Sequence, residues 1–250
     1  MDPTDSSDRH CLMNLSLVAR KWREPCQSLL FESVQVSPEN LRLRQGKISQ
    51  NQSKLLPRVR RLIWNRRWSS YGEPHWQLGP TDASLCHSFS LLTRLEQFKL
   101  IFCSIPLPAC ELELFSGFKD TVSHLILSRC TVQESALFTF INCFPNLELL
   151  SFNALSYVVD SEGFSCSPRR LKKLSITPDS REFQGFLSKL SKQWLSFEEV
   201  AIGPGHDFTD WEEIANGVVR VFGDGVEHLR VAVHPGKNNL LYPNRLDQWS

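Results

Sequence analysis

Apolar residues return through this chain in a fixed unit, Φ-x-x-Φ-x-Φ with Φ apolar, and the unit occurs seven times. The copies are Val59/Leu62/Trp64, Leu95/Phe98/Leu100, Val122/Leu125/Leu127, Leu147/Leu150/Phe152, Leu171/Leu174/Ile176, Phe197/Val200/Ile202 and Val226/Leu229/Val231. Their starts are separated by 36, 27, 25, 24, 26 and 29 residues. Spacing this even means that one supersecondary element is used repeatedly. Within each copy the last two apolar positions lie two residues apart, the period of a half-buried strand. The copies should therefore be strands of one sheet.

Between the strands the period changes to that of a helix. Ala136, Leu137, Phe140, Ile141 and Phe144 have helical spacing, as do Phe183, Phe186, Leu187, Leu190 and Trp194, and then Trp211, Ile214, Val218, Val221 and Phe222. Pro145-Asn146, Thr177-Pro178 and Gly203-Pro-Gly separate these segments from the strands. A strand and a helix of this size cannot bury their apolar faces alone, so neighbouring units must stack. The expected class is α/β. The array looks like an irregular leucine-rich repeat domain, a leucine-rich-repeat-like solenoid with a curved parallel sheet and helices outside it. In "LEQFKLIFCSI" and "VSHLILSRCTV" that resemblance places Cys103 and Cys130 at the slot where such repeats carry Asn or Cys, hence in the core. An unrelated α/β domain with alternating strands and helices is the other reading of the same pattern.

The N-terminal stretch "NLSLVARKWREPCQSLLFESVQV" is a separate problem. Leu12, Leu15, Ala19, Trp22, Cys26 and Leu29 fall on one helical face, with Arg20, Lys21, Arg23 and Glu24 opposite. Pro25 has no N–H and disfavours helix in its predecessor, which predicts one helix ending near Arg23 and a second opened by Pro25. Val34 and Val36 then alternate with polar residues as a strand. Helix, helix and strand in so few residues cannot stand alone. This order resembles the second half of an F-box, particularly of the fungal type, with Leu15, Leu17, Val18 and Trp22 on the family's apolar positions. The family's opening Leu-Pro-x-Glu segment has no counterpart in "MDPTDSSDRH". The resemblance implies an N-terminally incomplete box that docks on a Skp-type adaptor of a cullin–RING ubiquitin ligase through Leu12, Leu15, Leu17, Val18 and Trp22. The alternative is that this segment caps the domain behind it. The expected organisation is a partial F-box at 1–36, a basic connector at 37–57 and the solenoid at 58–250.

Composition narrows the function classes. The 250-residue chain has a net charge of +1, which supplies no general attraction to nucleic acid or membrane. No apolar run reaches the ~18 residues of a spanning helix, and the polar start lacks the apolar core of a signal peptide. Cytoplasm or nucleus is the expected location, with reduced thiols. The eight cysteines, at 11, 26, 86, 103, 110, 130, 143 and 166, form no Cys-x-x-Cys, so no metal is expected. "GFSCSP" is not a nucleophile elbow, "GPGHDFTDWEE" reads as a loop entering an acidic helix start, and neither phosphate-binding glycine motif is present. No catalytic residue and no cofactor is expected.

Two features point to binding. From 40 to 72 the chain has nine Lys or Arg residues (42, 44, 47, 54, 58, 60, 61, 66 and 67), no Asp or Glu, and Trp64, Trp68 and Tyr71 between them. Such a block can neutralise and stack nucleic acid, or serve as a solvated connector whose aromatics seal the first repeat. The neutral remainder of the chain favours the connector. Second, strand alternation sends positions 3, 5 and 7 of each unit to the face opposite the core. That row holds Arg61, Ile63, Lys99, Ile101, His124, Ile126, Lys173, His228 and Arg230, with Glu199 its single acid. The expected partner is a protein that lays an acidic or phosphorylated segment beside apolar anchors on this concave face. A plain leucine-rich interaction scaffold and, more weakly, a nucleic-acid binder are the competing functions.

Overall fold

The computed structural model describes residues 11–14, 20–37, 56–66, 83–107, 109–158, 170–177, 197–202 and 226–231. Eight strands form one sheet: β1 (Ser33–Val36), β2 (Arg61–Asn65), β3 (Gln97–Ile101), β5 (His124–Ser128), β7 (Leu149–Asn153), β9 (Lys173–Thr177), β10 (Phe197–Ile202) and β11 (Val226–Val231). They lie side by side in chain order, and every pairing is parallel. Three short strands, β4 (Ser104–Ile105), β6 (Thr131–Gln133) and β8 (Ser156–Val158), form a second parallel sheet. The fold is α/β with an open parallel sheet.

The register follows the repeat. Leu62, Phe98, Leu125, Leu150, Leu174 and Val200 stand in one row across the sheet, and Trp64, Leu100, Leu127, Phe152, Ile176 and Ile202 in the next. All twelve are buried. A shift of one residue would turn every one of them to solvent, so burial itself holds the register. The backbone repeats with the same fidelity. Residues entering β3, β5, β7, β9 and β10 donate N–H bonds to the Arg60, Glu96, Ser123, Glu148 and Lys172 carbonyls of the preceding unit. Directly after β3, β5 and β7 the chain turns through Phe102, Arg129 and Ala154, at φ 56°, 52° and 54°. None is glycine, although the left-handed region is uncommon for other residues. Each sends its N–H to the last residue of the following strand, Ser128, Asn153 or Thr177.

Helices α2 (Ala83–Ser90), α3 (Ala109–Ser116) and α4 (Glu134–Asn142) cross between successive strands, as parallel pairing requires. α4 lies where the Ala136 to Phe144 periodicity predicts it, whereas the helices expected over 183–194 and 211–222 lie outside the described residues. Aromatic rings fill the layer between sheet and helices. Phe98 meets Phe115 at 4.8 Å, Phe118 at 5.1 Å and Phe144 at 6.1 Å between ring centroids. Gly117 lets α3 approach α2: a Cβ there would stand 3.0 Å from the Ser90 backbone. Cys103 and Cys130 occupy the same place in successive units, both buried, and the Cys130 thiol donates to the Leu100 and Ser128 carbonyls.

The N-terminal segment departs from expectation in three respects. A single helix, α1 (Arg20–Glu32), runs through Pro25 instead of breaking there. Proline removes one helix hydrogen bond, a cost the helix sustains because Cys26 is buried beneath it and because α1 leads without a loop into β1. Of the stripe residues whose burial is described, Leu12 and Cys26 are buried, whereas Leu29 is 43% exposed. Most consequentially, β1 pairs with β2, with Val34 opposite Leu62 and Val36 opposite Trp64. Phe31/Val34/Val36 is thus an eighth copy of the unit, 28 residues before Val59. The sheet has eight strands where seven were expected, and the boundary drawn at residue 36 falls inside it.

Candidate functional site

The open face of the sheet is built by the residues between the buried ones. Its first row reads Ser33, Arg61, Gln97, His124, Leu149, Lys173, Glu199 and His228, and its second Gln35, Ile63, Lys99, Ile126, Ser151, Ser175, Ala201 and Arg230. A third row holds Asn65, Ile101, Ser128, Asn153 and Thr177. All nine face residues singled out from the sequence therefore lie on strands of this sheet, in those registers. Neighbouring strands stand about 4.8 Å apart, so adjacent members of a row are in contact range.

Charge on this face is distributed differently from the sequence expectation. Glu199 accepts from Lys173 Nζ at 3.0 Å and pairs with Arg230 Nε at 3.0 Å. The hydrogen bond from Lys173, aided by the Arg230 charge, holds the Glu199 carboxyl below the usual glutamate range. Arg61 is paired with Glu32, at 3.3 Å, from the end of α1. Arg61 and Glu32 balance each other, whereas Lys173 and Arg230 share one carboxylate, so that cluster keeps a positive charge in excess. Among the described residues, no acid pairs with Lys99. It stands between Ile63 and Ile126 in its row, with Ile101 two residues further along β3. The sequence could show Glu199 beside Lys173, because both belong to the alternating row. It could not show Glu32, which reaches the face from a helix.

The basic block is also compensated where it is described. Arg58 bonds Glu24 at 2.9 Å, Arg60 stands 3.7 Å from Glu96, and Arg66 lies 3.5 Å from Glu111. Trp64 is fully buried, packed edge-on against Phe115 at 5.3 Å and Phe89 at 6.1 Å, so its ring cannot stack on a base. The rest of the block, with Trp68 and Tyr71, lies outside the described residues. Behind Trp64 sits a buried acid, Glu111, in the first turn of α3. Burial pushes its carboxyl above the usual glutamate range, and the nearby Arg66 charge offsets only part of that. Glu111 Oε2 and Trp64 Nε1 have no hydrogen-bond partner.

Of the expected adaptor-binding residues, Leu12 is buried in a helical stretch at 11–14, Leu15, Leu17 and Val18 lie outside the described residues, and Trp22 falls within α1. "GFSCSP" and "GPGHDFTDWEE" also lie outside the described residues. No group of His, Cys, Asp and Glu among the described residues could hold a metal ion, and none of the described helices is long and apolar enough to cross a membrane. No protein-family model matches the chain, and no curated protein matches it.

Proposed function

We propose that this chain is a non-catalytic recognition subunit: an F-box-type N-terminal segment that docks on a Skp-type adaptor of a cullin–RING ubiquitin ligase, joined to a leucine-rich-repeat solenoid whose open, concave face takes a protein partner. The observation that carries the solenoid is the in-register stacking of eight parallel strands in chain order, with the same hydrogen bonds repeated from unit to unit. A sheet built this way leaves one face lined by alternate residues of every unit, an extended surface suited to a polypeptide. The adaptor role is supported by the residue order around Leu15, Leu17, Val18 and Trp22. This reading implies cytoplasm or nucleus.

A second reading has its own observation. Because α1 leads into β1 and β1 is the first strand of the sheet, the N-terminal segment also works as the cap of a plain interaction scaffold. A pull-down separates the two. The purified chain at micromolar concentration should retain a Skp-type adaptor, and Trp22→Ala should abolish retention. No retention by the wild-type chain removes the ligase reading and leaves the scaffold.

A further inference from the structure

We infer that binding on the open face is centred on Lys99, and that this spot takes a segment of a partner protein carrying one carboxylate side chain between apolar residues. The inference rests on the reading of the open face as the partner-binding surface, and it places the contact on β2, β3 and β5 instead of spreading it along the row. Charge decides the location. Lys173 and Arg230 already share Glu199 at 3.0 Å each, and Arg61 has Glu32 at 3.3 Å. An incoming acid at Arg61 would compete with Glu32, and although Lys173 and Arg230 keep one positive charge beyond that of Glu199, their side chains are 47% and 75% exposed, where an ion pair contributes little. Lys99 has no acid beside it among the described residues, and its side chain is partly buried between two isoleucines. A partly desolvated cation without a counter-charge has the most to gain from a carboxylate delivered to it.

The frame around Lys99 defines the rest of the ligand. Ile63 and Ile126 stand on either side of it in register, Ile101 lies further along the same strand, and Leu149 follows His124 in the neighbouring row. These side chains are half-buried by the sheet itself, so each retains apolar surface for a partner. Apolar residues flanking the acid would cover them and exclude water from the ion pair, the arrangement that makes a charged contact costly to lose. A polyanion fits poorly, because affinity for one grows with the number of cations engaged, and the positions on either side of Lys99 in its row are isoleucines.

The test uses the full chain and short fluorescent peptides with a Leu-x-Glu-x-Leu core, with Gln, Lys or phosphoserine replacing the Glu in matched versions. Binding is read by anisotropy. The Glu peptide should bind the wild-type chain best. Lys99→Glu should weaken it by about tenfold or more and shift preference to the Lys peptide, while Lys173→Glu changes it less than about twofold. Lys99→Gln, a milder change, should lose the Glu-over-Gln preference with its unfolding curve unmoved. Equal binding of the Glu and Lys peptides overturns the inference, as does an equal loss in Lys173→Glu, binding by the phosphoserine version alone, or no binding of any peptide. Adaptor retained without peptide binding defeats this inference alone; peptide bound without adaptor defeats only the ligase assignment.

Discussion

Leu125 and Ile126 are chain neighbours of similar size, and the sheet sends them to opposite faces. Leu125 is fully buried between Phe98 and Leu150, while Ile126 lies on the open face between Lys99 and Ser151. Leu125→Ala removes buried methyl groups from a position that its aromatic neighbours cannot easily collapse into, a loss of about 4 kcal/mol. Ile126→Ala gives up only the covered part of one side chain, about 1 kcal/mol at the usual value per unit of apolar area. With a urea dependence of about 2–3 kcal/mol per molar, the midpoints should fall by roughly 1.3–2 M and by about 0.3–0.5 M. Far-ultraviolet circular dichroism across a urea series, with tryptophan fluorescence as a second probe, measures both. Equal shifts, or a larger one for Ile126→Ala, would mean that the strand is out by one residue and that the open face drawn above is the core.

Two other outcomes follow from the buried groups. Glu111 has a raised folded-state pKa, so it binds its proton more tightly folded than unfolded; its contribution is present in full below the unfolded glutamate value and is lost as pH rises through the folded one. Unfolding midpoints measured from acid towards neutral pH should therefore fall more in the wild-type chain than in Glu111→Gln, and parallel curves would refute the assignment. Cys103 and Cys130 are both buried, so maleimide mapping of the native chain should label exposed Cys11 and Cys143 and spare the inner pair until denaturant is added. Early labelling of the inner pair would contradict their packing.

Much of the strand framework was legible because it rests on a local rule. A residue pair such as Leu125 and Leu127 must share a face in any strand, and the recurrence of that pair at even spacing leaves stacked units as the economical way to bury it. The same rule placed Lys99, Ile126 and Lys173 on the face opposite the core, while helical spacing from Ala136 to Phe144 placed α4 between β5 and β7. Phe31/Val34/Val36 obeys the rule too, but its apolar residues adjoin a helical stripe, so in the sequence it reads as part of a separate module. The break predicted at Pro25 failed for a related reason: a local penalty of one hydrogen bond was weighed without the burial of Cys26, which only packing supplies.

Charge was the least legible property. From sequence, Arg58, Arg60, Arg61 and Arg66 form a block without acids, since their partners Glu24, Glu96, Glu32 and Glu111 all lie outside it in the chain. Periodicity fixes which way a side chain points, because that depends on two dihedral angles per residue. Which charge it meets depends on what the fold brings within about 4 Å, where electrostatic contacts are decided. The repeat thus determined seven of the eight strands of the main sheet, their faces and the rows across them. Only the tertiary structure decided that β1 completes the sheet, that Glu32 reaches the open face to pair with Arg61, and that among the described residues no acid stands beside Lys99.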